Sequence, residues 1–173
     1  FGGAGAIVVT DGDAGGLAVL GHDGVLDGTV AQSASQARDL WQLREGISES
    51  LSATGMPHKN DVTVPVSRLP TFIDQVEKVF EHSYPGWDVC LFGHAGDGNI
   101  HINVMKPEAI SREEFFAKTK DADRDLFGLV QRHQGSISAE HGIGMLKKAF
   151  LGFSRSAAEI EVMRSVKRAL DPT

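Results

Sequence analysis

The stretch Trp87–Met105 constrains the fold more than any other part of the sequence, because two alternating segments flank Asp97-Gly98. Asp-Gly favours a two-residue hairpin turn, since a type I′ turn needs positive φ at both central positions. With that dipeptide at the tip, His94 lies directly opposite His101. The stretch therefore predicts an antiparallel hairpin with strands over 87–93 and 99–105.

The two faces of this hairpin differ in character, because opposed residues share a face. One face is apolar and predicts core: Trp87, Val89, Leu91, Ile100, Ile102 and Val104. The other face is largely polar: Asp88, Cys90, Phe92, His94, His101, Asn103 and Met105. Paired imidazoles would supply two of the ligands of a divalent metal site. Two polar surface histidines would give the same pattern, and a bulge at the glycines would shift the register.

Hydrophobic periodicity predicts the elements around the hairpin. Helices are expected over 33–53, 67–82, 111–134 and from Ser156 to before Pro172, and further strands over 59–66 and 136–140. From 59 to 140 the order is strand, helix, strand, strand, helix, strand, as in the ferredoxin-like split unit. The sequence therefore predicts an α+β fold, with an antiparallel sheet, helices on one face, and the other face left for a site.

We expect three regions along the chain. Residues 1–28 carry nine glycines and predict a glycine-rich junction. Residues 29–150 predict the ferredoxin-like domain, and residues 151–173 a C-terminal helix. Because the chain begins with Phe1 rather than methionine, we also expect it to be a piece of a longer protein.

Composition excludes several classes of function. Seventeen basic against 23 acidic side chains, with no basic cluster, argue against nucleic-acid binding. No apolar run approaches the length of about 18 residues that predicts a transmembrane segment. Cys90 is the only cysteine, which rules out an internal disulfide framework and a multi-cysteine zinc site.

A third candidate metal ligand is Glu140, in the segment Ser138–Gly144 that runs from a predicted strand end into a glycine-rich turn. Two histidines and one carboxylate, with coordination positions left open, suit a catalytic metal rather than a structural one. His141 would then be a base beside the metal. A histidine that caps the following helix is an equally good interpretation of His141.

Two cations suggest an anion site. Arg44 interrupts the apolar stripe of the 33–53 helix, with Ser48 one turn later, and a charge on a buried face needs a partner. A buried salt bridge, or an arginine that extends past the core, would explain Arg44 as well. Lys59 begins the next strand on its polar face, where a solvated lysine is the simplest interpretation.

Two motifs resemble the signatures of a known family. Gly93–Asn103 and Ser138–Gly144 are similar to motifs of the C-terminal domain of FAD-linked oxidases, in the vanillyl-alcohol-oxidase superfamily of flavoproteins. Leu40–Glu49 and His58–Pro65 most resemble the D-2-hydroxyglutarate dehydrogenases within that family. The resemblance covers roughly residues 25–173, and the glycine-rich start matches poorly.

The resemblance implies a role for each candidate residue. His94, His101 and Glu140 match metal ligands, usually for zinc. Arg44, Ser48, Lys59 and Asn103 match residues that hold the substrate, and His141 matches the catalytic base. Ser48 stands where the family often has threonine.

The resemblance also implies FAD as a cofactor, bound mainly by an N-terminal domain that this chain lacks. The expected function is the substrate-binding half of an FAD-dependent D-2-hydroxy-acid dehydrogenase, with hydride passing from the substrate Cα to flavin N5, and the chain alone is expected to be inactive. The expected partners are a small 2-hydroxy acid and the FAD domain of the parent, with a homodimer left open. The expected location is the cytoplasm of a bacterium or the mitochondrial matrix of a eukaryote.

Two alternatives remain open from the residues alone. A flavin-free metallohydrolase would use the same three ligands to activate water. A non-catalytic module would bind metal or ligand without turnover.

Overall fold

A computed structural model of the protein describes residues 31–172, so the predicted junction over 1–28 lies outside the described residues. The chain divides into two compact units, Phe1–Met56 and Pro57–Thr173. The described part of the first unit contains helices α1 (Ala34–Glu45) and α2 (Ile47–Thr54).

The single helix predicted over 33–53 is wrong, because the structure has two helices that meet at Gly46. Ser33 caps the start of α1 by accepting a hydrogen bond from the Gln36 N–H at 3.2 Å. Gly46 keeps helical dihedral angles, and its N–H donates to the Gln42 carbonyl at 2.9 Å. The break is therefore small, and no residue of either helix is fully buried.

The second unit contains an antiparallel three-stranded sheet and three helices. The strands are β1 (Pro57–Thr63), β2 (Val89–His94) and β3 (Asn99–Met105), in the order β1-β3-β2. The helices are α3 (Leu69–Ser83), α4 (Arg112–Arg132) and α5 (Ala157–Leu170). This architecture confirms the predicted α+β class with an antiparallel sheet.

The strand predicted over 136–140 is wrong, since only Ser136 pairs, through an isolated antiparallel bridge to Thr63. Thr63 also pairs with Asn99 on β3, so the bridge lies on the other edge of β1. That edge is where the last strand of the expected split unit would lie. Beyond Ser136 the chain stays beside β1, where the Ala139 N–H donates to the Asp61 carbonyl, but residues 137–140 form no further ladder pair with β1.

The predicted hairpin register is also wrong. His94 lies opposite Asn99, and Phe92 lies opposite His101, a shift of two residues from the expected pairing. The turn is longer than two residues because Ala95–Asp97 form a 3-10 turn, and only Gly98 has a positive φ, of 68°. Since side chains alternate with a period of two, a shift of two keeps every residue on its predicted face.

Gly98 is required at this turn for a second reason. A Cβ atom there would lie 2.0 Å from the carbonyl oxygen of Val64. The Val64 N–H donates to the Gly98 carbonyl at 2.9 Å, and the Thr63 hydroxyl donates to the Asp97 carbonyl at 3.3 Å. These bonds hold the hairpin tip against the end of β1.

Capping residues and a short 3-10 turn determine where α3, α4 and α5 begin. Ser111 accepts a hydrogen bond from the Glu114 N–H at the start of α4. Ser156 and Glu159 form a complete capping box at the start of α5, as predicted. The helix predicted from residue 67 begins at Leu69, after a 3-10 turn over Val66–Arg68.

The sheet separates an apolar side from a polar side. We call the side that α4 covers the helix face, and its buried sheet residues are Asn60, Val62, Ile100, Ile102 and Val104. The fully buried aromatic residues of the helices, Phe72, Phe115 and Phe127, complete this core. We call the opposite side the polar face; it carries Lys59, Asp61, Thr63, Cys90, Phe92, His94, Asn99, His101 and Asn103. Within residues 31–172, no helix has the length and apolar character needed to cross a bilayer.

Candidate functional site

The strand register gathers the predicted polar residues into neighbouring rows on the polar face. On one side of β3, Lys59 pairs with Asn103 and Asp61 pairs with His101. On the other side, Phe92 pairs with His101, and their ring centroids are 5.1 Å apart. His101 therefore lies in the central strand, between an acidic residue and an aromatic ring.

His94, His101 and Glu140 come together at one end of this face. Each offers a nitrogen or carboxylate oxygen, and these three atoms lie within 4.8 Å of one another. His94 Nε2 is 3.4 Å from Glu140 Oε1, and the two imidazole centroids are 5.6 Å apart with their planes at 78°. Two imidazoles and a carboxylate at this spacing could hold a divalent metal ion.

Backbone hydrogen bonds to β1 bring Glu140 to the site. Thr63 and Ser136 exchange two hydrogen bonds, at 3.0 and 2.8 Å. The Ala139 N–H then donates to the Asp61 carbonyl at 3.3 Å, and the Glu140 N–H donates to Asp61 Oδ2 at 3.0 Å. The segment after α4 is thus attached along β1, and Glu140 stands at its end.

The Glu140 carboxylate is oriented by a buried amide. Asn99 Nδ2 donates to Glu140 Oε1 at 2.8 Å, and Asn99 is only 3% exposed. The side chains of His94 and Glu140, in contrast, are 47% and 50% exposed. A buried amide therefore orients the Glu140 carboxylate, while the side chains of His94 and Glu140 stay accessible to solvent.

His141 follows Glu140 and is exposed. A nitrogen of its ring lies within 4.8 Å of carboxylate oxygens of Asp61 and Glu140. The Ser138 hydroxyl donates to the His141 carbonyl, which closes the turn that carries both residues. The structure therefore places the His141 ring near the carboxylates of Asp61 and Glu140, on a turn rather than in a strand.

Asn103 is the most deeply buried polar residue of the site, at 2% exposure. Among residues 31–172, its Nδ2 has no hydrogen-bond partner. In the sheet, Asn103 pairs with Lys59 on β1, which is exposed, and with Cys90 on β2, which is half-buried. Burial, and secondly Asp88, raise the pKa of the Cys90 thiol, which opposes a role as a thiolate ligand or nucleophile.

Arg44 and Ser48 lie in the first unit, and both are half-buried. Arg44 is in the last turn of α1, and Ser48 is in the first turn of α2. The other predicted site residues all belong to the second unit.

Sequence reasoning gave no role to Asp61, Asn99 or Lys147, which support the site. Asp61 lies two residues after Lys59, so strand alternation puts it on the same polar face of β1, but nothing local indicated its contact with Glu140. Lys147 Nζ donates to the Ile137 carbonyl at 2.6 Å and to the Asp61 carbonyl at 3.3 Å. Burial lowers the pKa of Lys147, while Asp61 and Asp123 act in the opposite direction.

Comparison with known proteins gives a consistent group of relatives. The family described as FAD linked oxidases, C-terminal domain, matches residues 16–173. A D-2-hydroxyglutarate dehydrogenase of Stutzerimonas stutzeri is 47% identical over 148 residues, which cover 86% of this chain and 32% of the relative. A D-2-hydroxyglutarate dehydrogenase of Xanthomonas citri pv. viticola is 50% identical over 148 residues, which cover 86% of this chain and 31% of the relative.

A more distant relative is a Schizosaccharomyces pombe protein, whose name gives it provisionally as a mitochondrial D-lactate dehydrogenase. It is 40% identical over 157 residues, which cover 86% of this chain and 29% of the relative. The chain thus spans about a third of the length of the curated relatives it matches.

Proposed function

The chain belongs to the family of FAD linked oxidases, C-terminal domain, and from that premise we propose that it is the substrate- and metal-binding part of an FAD-dependent D-2-hydroxy-acid dehydrogenase. The names of the relatives given above refer to dehydrogenases of D-2-hydroxyglutarate or D-lactate. Both compounds are D-2-hydroxy acids, which defines the substrate class of the proposal.

The observation that carries this proposal is the cluster of ligand atoms from His94, His101 and Glu140, within 4.8 Å of one another. The donor set fits a divalent ion, and we propose zinc, because imidazole and carboxylate ligands suit it. Such an ion supplies Lewis-acid polarisation of substrate oxygen atoms. The half-exposed side chains of His94 and Glu140 leave that position accessible to a substrate.

Asn103 and Lys59 are the proposed substrate-binding residues of the second unit. The buried Asn103 amide has an N–H group without a hydrogen bond among the described residues, which a substrate oxygen could accept. Lys59 pairs with Asn103 in the sheet and adds a positive charge on the same face, which favours an acidic ligand. For Arg44 and Ser48, the same role is proposed from the sequence resemblance alone.

His141 is the proposed general base. It neighbours Glu140 in the chain, and its ring lies at the edge of the ligand cluster. A ring nitrogen of His141 would take the proton of the substrate hydroxyl, which typically contributes about 10²–10⁴-fold to a rate. His141 lies on a turn beside the proposed ligands rather than in the sheet. Its ring can therefore reach a substrate from the solvent-exposed side of His94 and Glu140.

We propose that the remaining two thirds of the parent protein carries FAD, which when bound supplies the oxidant. Within residues 31–172 we assign no flavin contact. The task of this chain is then to bind the hydroxy acid, orient its Cα–H bond and take its hydroxyl proton. The proposed location is the bacterial cytoplasm or the mitochondrial matrix, the latter because eukaryotic relatives are named as mitochondrial.

The first experiment measures metal per chain by elemental mass spectrometry after expression with zinc. We expect a single zinc ion in the wild-type chain and its loss in His94→Ala. His82→Ala is the matched control, since His82 is an exposed histidine of α3, away from the cluster. Equal metal content in all three proteins, or none in the wild type, would contradict the proposed site.

The second experiment tests the reaction in the parent flavoprotein with D-2-hydroxyglutarate and D-lactate. His141→Ala should lower kcat by at least about 10²-fold and leave the metal content unchanged. Loss of metal in that variant would make His141 a ligand instead of a base. Ester hydrolysis by the chain alone, without oxidation of either acid by the parent, would favour the metallohydrolase.

A further inference from the structure

Asp61 is a buried carboxylate that contacts two of the proposed ligands at once. It lies opposite His101 in the sheet and is 9% exposed. Its Oδ1 is 3.2 Å from His101 Nδ1. Its Oδ2 accepts a hydrogen bond from the Glu140 N–H at 3.0 Å. One side chain therefore links a ligand on the central strand with a ligand on the segment after α4.

The two oxygens of Asp61 differ in how well they are satisfied. Oδ2 has its hydrogen bond to Glu140, whereas Oδ1 has none among residues 31–172, although His101 Nδ1 lies only 3.2 Å away. A buried carboxylate oxygen without a donor is costly. A hydrogen bond from His101 Nδ1–H to Oδ1 would remove that cost. The group best placed to satisfy Asp61 is thus the imidazole of a proposed ligand.

We propose that Asp61 is a positioning residue that fixes the ring tautomer of His101 and the main chain at Glu140. With the proton held at Nδ1 by Asp61, the neutral imidazole has its lone pair on Nε2, the atom then available to a metal. This inference rests on the proposed function, because it assumes that His101 and Glu140 are metal ligands.

Other contacts hold Asp61 in place for this role. Its carbonyl accepts hydrogen bonds from the Ala139 N–H and the Lys147 ammonium, both at 3.3 Å. The Phe92 ring packs on His101 from the other side, with centroids 5.1 Å apart. The imidazole is therefore confined between an aromatic ring and the carboxylate that orients it.

Asp61→Asn is the informative variant, since it conserves shape and changes one acceptor into a donor. The carboxylate can accept from both His101 Nδ1–H and the Glu140 N–H, whereas an amide has only one oxygen. If the oxygen stays on Glu140, the amide N–H faces His101 and favours the tautomer protonated at Nε2. If the oxygen turns to His101, the Glu140 N–H faces another donor.

The experiment compares zinc affinity in the full 173-residue chain, by competition with a chromophoric chelator. Asp61→Asn should weaken zinc binding by about 10–100-fold, the usual cost of losing a partner that orients a ligand. The matched control is Asp123→Asn, because Asp123 also accepts from a histidine of this sheet, His58, at 2.7 Å. That pair lies on the helix face, so the control should leave zinc affinity unchanged.

A second readout follows the proton directly. Long-range ¹H–¹⁵N spectra of the metal-free wild-type chain, at about pH 8 where imidazole is ordinarily neutral, should show His101 protonated at Nδ1. The signal should shift toward the Nε2–H tautomer in Asp61→Asn. A purely structural aspartate would change stability without changing the tautomer.

The outcomes separate this inference from the function on which it rests. Wild-type zinc binding with unchanged affinity in Asp61→Asn would overturn the role of Asp61 and leave the proposed function intact. A wild-type His101 protonated at Nε2 would overturn it even if Asp61→Asn failed to fold. Absence of zinc from the wild type, with His101 protonated at Nδ1, would count against the metal site instead.

Discussion

The two faces of the sheet each hold a pair of histidine and aspartate, and the pairs have different surroundings. On the helix face, His58 Nε2 lies 2.7 Å from Asp123 Oδ1, with side chains 21% and 15% exposed. On the polar face, His101 Nδ1 lies 3.2 Å from Asp61 Oδ1, with side chains 21% and 12% exposed. Burial is therefore nearly equal in the two pairs and does not distinguish a site from a structural contact.

What differs is the hydrogen bonding around each pair. Asp123 Oδ1 also accepts from Asn60 Nδ2 at 2.7 Å, and the Phe115 ring meets His58 edge-on at 6.5 Å. The polar face instead holds three of the four buried side-chain atoms without a hydrogen bond in residues 31–172: Asp61 Oδ1, Asn99 Oδ1 and Asn103 Nδ2. Buried polar atoms without a hydrogen bond are therefore concentrated on the face that carries the proposed metal ligands.

The largest expected effect tests whether folding depends mainly on the helix face. Phe72 is fully buried, so Phe72→Ala should reduce the free energy of unfolding by about 3–5 kcal/mol. Urea denaturation of the metal-free chain measures this loss. His94→Ala is the comparison variant, and its stability should change little because His94 is half-exposed. A larger loss in His94→Ala than in Phe72→Ala would reverse our assignment of the two faces.

A smaller effect should follow from breaking the pair on the helix face. Asp123→Ala leaves the His58 ring and the Asn60 amide without their acceptor, which should cost about 1–3 kcal/mol of stability. Zinc affinity of the folded protein should stay at the wild-type value. Weaker zinc binding in Asp123→Ala would mean that the two faces are coupled through β1.

On the polar face, Asn99→Ala should affect zinc binding more than stability. The variant loses the hydrogen bond from Nδ2 to Glu140 and also removes a buried Oδ1 that has no partner among the described residues, so the two changes in stability partly cancel. Zinc affinity should fall about tenfold, since Glu140 is no longer oriented. Chelator competition and urea denaturation on the same sample separate the two quantities. A variant with wild-type affinity and lower stability would assign Asn99 to the fold alone.

The sequence was sufficient to predict which face each residue occupies, and insufficient to predict the hairpin register. Alternation alone assigns His94 and His101 to the polar face, and this assignment does not change when the hairpin register shifts by two residues. The turn type depends on contacts that Asp97-Gly98 does not encode, namely the bonds from Thr63 and Val64 to the hairpin tip. Those tertiary contacts favour the 3-10 turn over the two-residue turn.

The composition of the candidate site was predictable only in part. Its place at a predicted strand end before a glycine-rich turn made Glu140 a candidate ligand, but its approach to the sheet depends on the bridge between Thr63 and Ser136, across 73 positions of chain. Asp61 had a predicted face and no predicted role, because an aspartate on the polar side of a strand is usually solvated. Its significance comes from the contacts with His101 and the Glu140 N–H, which only the folded chain brings together.

The smallest expected effect concerns His133, whose Nδ1 is the fourth buried atom without a hydrogen bond in the described residues. His133 is the C-cap residue that follows α4, is 8% exposed and donates from Nε2 to Gln75 Oε1 at 3.1 Å. Burial first, then the charges of Arg68 and Arg132, lower its pKa below the ordinary value of 6.5. The folded protein therefore resists protonation here more than the unfolded chain does.

The sign of the resulting pH dependence follows from proton linkage. Below about pH 6.5, the unfolded chain binds more protons at this position, so the stability due to neutral His133 is lost as the pH falls. His133→Gln cannot titrate and should lose less stability than the wild type between about pH 7.5 and 5. Urea denaturation at each pH measures the difference between the two slopes. Parallel curves of stability against pH would show that His133 has the same proton affinity in the folded and the unfolded state. The buried Nδ1 without a hydrogen bond would then have no measurable effect on the pH dependence of stability.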